Sequence, residues 1–135
     1  MLGREWNAIK KKFSGVRLQR IYRELRPTHQ ELTAHNITPT HIFIQGGSSD
    51  VDTFGPQPES IQELIKNIML KVDDLWPNSQ KILGAILPRR RWDAVTLGSV
   101  QTINTMLSNM PRYWMGTGLA LKLLDPFTKS QINNV

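Results

Sequence analysis

The sequence contains no cysteine, and this absence excludes disulfide bonds and thiolate metal sites. No apolar run approaches the roughly 20 residues that a transmembrane helix needs, so we expect no contact with the membrane interior. Residues 1–13 lack the apolar segment of a secretory signal, although their basic composition leaves an organelle-targeting segment as an alternative. Together these absences predict an intracellular protein in a reducing compartment.

The length of 135 residues is typical of one domain, and hydrophobic and charged contents of 39% and 21% indicate a globular chain. We expect a basic N-terminal extension over 1–14, one domain over 15–128 and a frayed tail over 129–135.

The net charge of +6 is unevenly distributed along the chain. Residues 1–40 carry +5, residues 41–87 carry −3 and residues 88–135 carry +4. Basic ends around an acidic middle indicate a surface for nucleic acid or an acidic partner, with simple solubility as the alternative.

The segment His41–Asp50 is the most informative motif. A short apolar run breaks into two glycines and three small polar residues, which is typical of a buried parallel strand that delivers a loop to the carboxyl edge of a sheet. Open α/β folds place their sites at this edge.

The rest of the chain alternates between helical and strand patterns. We predict a helix from Val16 that Pro27 ends at Arg26, and a short second helix whose capping box is Thr28–Glu31. A further capping box at Ser60–Glu63 opens the clearest helix in the sequence. The remaining predictions are strands at 40–45, 81–87 and 119–124 and helices at 59–75 and 97–109, with loops at 46–50 and 54–58 and with Met69, Met106 and Met110 in the core.

This order predicts an α/β fold in which a short parallel sheet of about three strands is flanked by helices. Such a sheet has open edges, and we expect another protein chain to pair with one of them.

Three blocks of the sequence resemble the middle of SGNH (GDSL-type) hydrolases, in the form of the esterase-like domains of some non-LTR retrotransposon proteins. Ser14–Tyr22 is similar to the family's glycine block, and His41–Asp50 to its strand and Gly-x-Asn-Asp block. Ile82–Arg89 is similar to the next strand, and Asn104 falls where a helix in the family often carries asparagine. The resemblance implies a truncated, flavodoxin-like three-layer α/β/α fold.

The resemblance also implies ester hydrolysis by a serine, a histidine and an aspartate, with an oxyanion hole. The matching oxyanion and loop positions are Gly15, Gly47, Ser49 and Asp50, but Ser49 stands where the family has asparagine. Residues 1–13 contain no serine and no histidine follows His41, so the nucleophile and the base are missing. We therefore predict no confident catalytic residue.

The same loop offers residues for two other kinds of site. Ser48 or Ser49 would need His29, His35 or His41 as a base, and the position of His41 at the far end of the strand argues against it. Asp50 and Asp52 with the two serines would provide oxygen ligands for a cation, but loop aspartates more often cap backbone N–H groups. We predict neither a metal nor a cofactor.

Basic residues define the predicted binding surface. Arg89-Arg90-Arg91-Trp92 leaves the second strand at its carboxyl end, and Arg112-Tyr113-Trp114 precedes the third strand. Arginines with aromatic planes are typical of nucleic-acid surfaces, and the alternative is a solvated loop with Trp92 and Trp114 on the core. The proposed partner-binding residues are Lys10, Lys11, Lys12, Arg17, Arg20, Arg89, Arg90, Arg91, Trp92 and Arg112.

Two functions remain open on the sequence. The first is a non-catalytic binding module derived from an SGNH hydrolase, within a larger assembly and in contact with RNA, DNA or an acidic partner. The second is part of a serine esterase whose nucleophile and histidine lie outside this chain. No small-molecule ligand is predicted.

Overall fold

The computed structural model describes residues 17–109 and 121–124, and the predicted extension and tail lie outside these ranges. The described residues form four helices and three strands. In chain order these are α1 Leu18–Ala34, β1 His41–Ile44, α2 Ser48–Phe54, α3 Pro58–Leu75, β2 Gln80–Gly84, α4 Ala94–Ser108 and β3 Leu121–Leu124.

The three strands form one parallel sheet in the order β1-β2-β3. Helix α3 lies in the connection from β1 to β2, and α4 lies in the connection from β2 to β3. The α/β fold with a short parallel sheet flanked by helices is therefore confirmed. No helix within the described ranges has the length and apolar content to cross a bilayer.

The described core lies against one face of the sheet. Ile44 and Leu83 are register partners and both belong to the core cluster, whereas Phe43, the residue before Ile44 in β1, is 51% exposed. Successive strand residues point to opposite faces, so the face of Ile44 is the covered one. Helix α3 packs against both α1 and α4 and places all three in one layer. A three-layer arrangement stays a prediction.

Helix α3 supplies the largest share of the core. Five of its side chains recur at helical spacing and are buried: Ile61, Ile65, Ile68, Met69 and Val72. The helix and the core position of Met69 are confirmed, but the capping box is wrong. The helix begins at Pro58, whose missing N–H costs nothing in the first turn, and Gln57 is the N-cap residue.

Helix α1 corrects the prediction of two helices, because it continues through Pro27 to Ala34. Leu25 before the proline and Leu32 after it both pack on the core. A proline inside a helix costs about 3 kcal/mol, and continuous burial on both sides of Pro27 offsets that cost. Thr28–Glu31 consequently lies within the helix rather than at its start.

The segments around the other strands show smaller differences. The loop predicted after β1 is wrong in part, because Ser48–Phe54 forms α2. β2 ends at Gly84 rather than at 87, and the next residues bond to side chains instead of a strand. Helix α4 begins three residues before its predicted start, because Asp93 accepts the Thr96 N–H at 2.7 Å as its N-cap.

Candidate functional site

The candidate site lies where β1 and β2 end at the same edge of the sheet. Two segments meet there, 45–54 after β1 and 85–92 after β2. Gly47 has φ 117°, and a Cβ atom at this position would lie 2.8 Å from Ile86 Cγ1. A glycine is therefore needed for the two segments to approach this closely.

Both serines of the loop tie these segments together. Ser48 donates its Oγ–H to the Leu87 carbonyl at 2.7 Å, and Ser49 Oγ accepts from Arg89 Nη2 at 3.1 Å. The predicted loop position Ser49 and the predicted basic residue Arg89 are thus direct neighbours.

The described histidines have other partners. His29 packs edge-on against Trp76 with ring centroids 5.3 Å apart, and His35 Nδ1 lies 2.8 Å from the Glu31 carbonyl. His41 Nδ1 lies 2.9 Å from Thr40 Oγ1 at the opposite end of β1. Neither serine hydroxyl bonds to a described histidine, so the geometry gives no support to a relocated serine–histidine pair.

Asp50 is a structural carboxylate. It is only 2% exposed, and its Oδ2 accepts the backbone N–H of Leu18 at 3.0 Å. Arg17, the N-cap residue of α1, provides no side-chain cap, so Asp50 caps this helix from α2. Burial raises the pKa of Asp50 above its ordinary value, although the Leu18 N–H and the nearby Arg17 oppose this shift.

Asp52 is the counter-ion of the arginine run. Trp92 donates its Nε1–H to Asp52 Oδ1 at 2.7 Å, Arg89 Nη1 lies 3.0 Å from Oδ2, and Arg91 forms a further ion pair. The Trp92 hydrogen bond, with Arg89 and Arg91, lowers the pKa of Asp52. Asp50 and Asp52 therefore serve different partners, and no cluster of three metal-ligating His, Cys, Asp or Glu residues occurs in the part of the chain that is described.

Helix α1 brings another predicted basic residue to this edge. The Arg17 guanidinium carbon lies 5.7 Å from the ring centroid of Phe54, the last residue of α2. We name Arg17, Arg89, Arg90 and Arg91, grouped around Asp52 and Phe54, the basic corner. Arg90 is exposed and forms no ion pair with a described residue.

Other predicted residues lie elsewhere. Arg20 is exposed one turn further along α1, and Trp92 is half-buried against the core while its indole N–H bonds to Asp52. For Trp92 the core-packed alternative is therefore the observed one. Lys10, Lys11, Lys12, Gly15, Arg112 and Trp114 lie outside the described residues.

Sequence reasoning named Asp52 and Asn104 but missed the role of each in this region. Asp52 was weighed only as a cation ligand in a loop, and its role as counter-ion of the arginine run depends on α2, which the sequence did not predict. Asn104 was named as a position of the family resemblance, but the clamp that it forms was not predicted: its buried side chain accepts the Ile86 N–H at 2.8 Å and donates to the Ile86 carbonyl at 3.2 Å.

Fold and site together define a small α/β domain with a parallel three-stranded sheet and a basic corner at its carboxyl edge. Neither a protein-family model nor a curated protein nor a solved structure matches this chain.

Proposed function

We propose that this protein is a non-catalytic binding module, derived from an SGNH hydrolase, that binds nucleic acid through its basic corner. The observation that carries the proposal is that the polar side chains of the segment after β1 form structural bonds and ion pairs. Ser48 and Asp50 bond to backbone groups of other segments, and Asp52 holds two arginines at the surface.

The charge distribution supports a polyanionic partner. Arg17 and Arg90 are exposed, and Arg89 and Arg91 share a single carboxylate, so the basic corner keeps an excess of positive charge. Arginine is suited to phosphate because its planar fork donates two parallel hydrogen bonds. Phosphate contacts of this kind provide sequence-independent affinity that decreases with salt.

A binding experiment tests the proposal. We expect a fluorescein-labelled oligonucleotide to bind at low salt and to dissociate as salt is raised, and Arg90→Ala to weaken binding severalfold. Lys66→Ala on α3 removes the same charge elsewhere and is the matched control. Absence of binding to both single-stranded and duplex probes at low salt would overturn the proposal, as would equal binding of poly-glutamate, which indicates an acidic protein partner.

The esterase alternative has one observation in its favour, because β1 pairs only with β2 among the described strands and is therefore an edge strand of the described sheet. A fluorophosphonate probe and p-nitrophenyl acetate distinguish the two functions. We expect no labelling and no turnover. Saturable labelling of Ser48 or Ser49, lost on substitution by alanine, would establish the esterase instead.

A further inference from the structure

Four arginines lie three residues apart from the N-cap of α1 into its third turn. Arg17, Arg20, Arg23 and Arg26 are all exposed. Residues three apart form a continuous ridge on a helix surface, and at a rise of about 1.5 Å per residue the four arginines span about 13 Å of the axis. We name them the arginine ridge.

The arginine ridge crosses the side of α1 that faces away from the core. The buried residues of the helix are Leu18 and Leu25, and Arg20 and Arg23 lie on roughly the opposite side at 100° per residue. The acidic residues of α1 are Glu24 and Glu31, so the four arginines outnumber the carboxylates of this helix by two. Charge complementarity therefore favours an anionic partner along the ridge.

An exposed aromatic ring stands near each end of the arginine ridge. Phe54 is 55% exposed beneath Arg17. Tyr22, one turn before Arg26, is 37% exposed, and Lys71 Nζ from α3 lies 4.3 Å from its ring centroid. Both rings combine a solvent-accessible apolar surface with a neighbouring cation.

We infer that the arginine ridge binds single-stranded nucleic acid, with its phosphates on the arginines and bases stacked on Phe54 and Tyr22. The inference rests on the proposed function and specifies the form of its ligand. In a duplex the bases are stacked on each other and cannot cover a protein ring, whereas in a single strand each base offers a face. An acidic peptide would use the arginines but not the rings.

The aromatic rings provide the first test, by fluorescence anisotropy with labelled oligo-uridine of about 20 nucleotides and a duplex of equal length. Phe54→Leu combined with Tyr22→Leu should weaken single-strand binding about fivefold or more and leave duplex binding within about twofold, because the variant loses both aromatic rings but no positive charge. Phe54→Tyr combined with Tyr22→Phe retains both rings and should bind like the wild type. Circular dichroism confirms that each variant is folded.

The arginines provide the second test. Arg23→Gln combined with Arg26→Gln should reduce the slope of log affinity against log salt by about 0.7 for each phosphate that the protein no longer neutralises. Lys66→Gln is the control. Lys66 lies on α3 about 140° around that helix from Lys71, which contacts the Tyr22 ring. The substitution therefore removes a positive charge away from the arginine ridge and should leave the slope unchanged.

The outcomes separate this inference from the proposed function. Equal affinity for duplex and single strand, or an unchanged affinity of the double leucine variant, would overturn the inference while nucleic-acid binding stands. Loss of binding with Arg90→Ala but not with the Arg23 and Arg26 variant would place the ligand on the basic corner alone. A complete lack of nucleic-acid binding would overturn both.

Discussion

Helix α2 carries one carboxylate toward the interior and one toward solvent, and the two have opposite surroundings. Asp50 is buried and accepts a backbone N–H of α1, whereas Asp52 is surrounded by two guanidinium groups and an indole N–H. Burial raises the pKa of Asp50, and its donors lower the pKa of Asp52. Two residues of separation thus distinguish a carboxylate that positions a helix from one that organises a surface.

The contrast between interior and surface polar groups holds throughout the described residues. The interior contains four buried polar side chains, Asp50, Ser79, Lys81 and Asn104, and each bonds to a defined partner. A buried polar group without a partner costs far more than an exposed one, because water cannot take the place of the missing partner. We therefore expect interior substitutions to affect stability and surface substitutions to affect binding.

The largest effect is expected for the ion pair between α3 and β2. Lys81 Nζ lies 2.9 Å from Asp73 Oδ1, and the lysine side chain is only 3% exposed. Asp73→Ala leaves this ammonium buried without a counter-charge and should lower the free energy of unfolding by about 3 kcal/mol. Urea denaturation measures the change, and the exposed neighbour Asp74→Ala should cost less than about 0.5 kcal/mol. Equal effects of the two substitutions would show that the pair has no special role.

The next largest effect on stability is expected at Asn104, which clamps α4 to the segment after β2. Asn104→Ala removes both side-chain bonds to the Ile86 backbone and leaves a buried N–H and carbonyl unpaired, at a cost of about 2 to 3 kcal/mol. Thr105→Ala on the exposed side of α4 is the control, with an expected change below about 0.5 kcal/mol. If thermal unfolding gave similar midpoints for both variants, water would have to satisfy the Ile86 groups.

Asp50 should show a smaller effect with a diagnostic pH dependence. Asp50→Ala removes the cap of α1 and should cost about 2 kcal/mol, whereas Asp50→Asn retains an acceptor oxygen and should cost less than about 1 kcal/mol. Because its folded pKa is raised, the folded state takes up the proton first, so the wild type should gain stability relative to D50N as pH falls through the raised pKa toward the ordinary value of about 4. A difference that is independent of pH in urea titrations would contradict this assignment.

Asp52 should have the smallest effect on stability and the opposite pH dependence. Its folded pKa is lowered, so its contribution is present above the ordinary aspartate pKa and is lost as pH falls through the lowered one. Asp52→Asn also frees Arg89 and Arg91, and nucleic acid should bind about twofold to fivefold more tightly. Asp74→Asn removes the same charge from the end of α3 and should change affinity less. Weaker binding of D52N would mean that Asp52 orients the arginines rather than competing with the ligand.

The sequence predicted the framework because its signals are local. Periodic apolar residues in α3 and two short apolar runs were sufficient for the helix, the parallel strands and the position of the Gly47 loop at the carboxyl edge. Pro27 misled the prediction because burial of Leu25 and Leu32 depends on α3, which lies far along the chain. Tertiary packing outweighed a strong local signal.

The sequence predicted where the site lies, but it did not predict which residues bond to each other there. The arginine run and the polar loop were identified separately, but Asp52 lies 37 residues before Arg89, and pattern alone does not show that they meet. The cap of α1 by Asp50 is also a long-range contact, since Leu18 is 32 residues away. The SGNH resemblance and nucleic-acid binding are both predictions, and the binding experiments above test the second.

The close contact between Gly84 and Gln45 predicts how these two positions vary in related sequences. A Cβ atom there would overlap Gln45 Oε1, and Gln45 donates its side-chain N–H to the Ala85 carbonyl. Any larger residue at 84 would push the amide aside and break that bond. In a set of related sequences, Gly84 and Gln45 should therefore vary as a pair, and a relative that has lost the glycine should also have lost the glutamine.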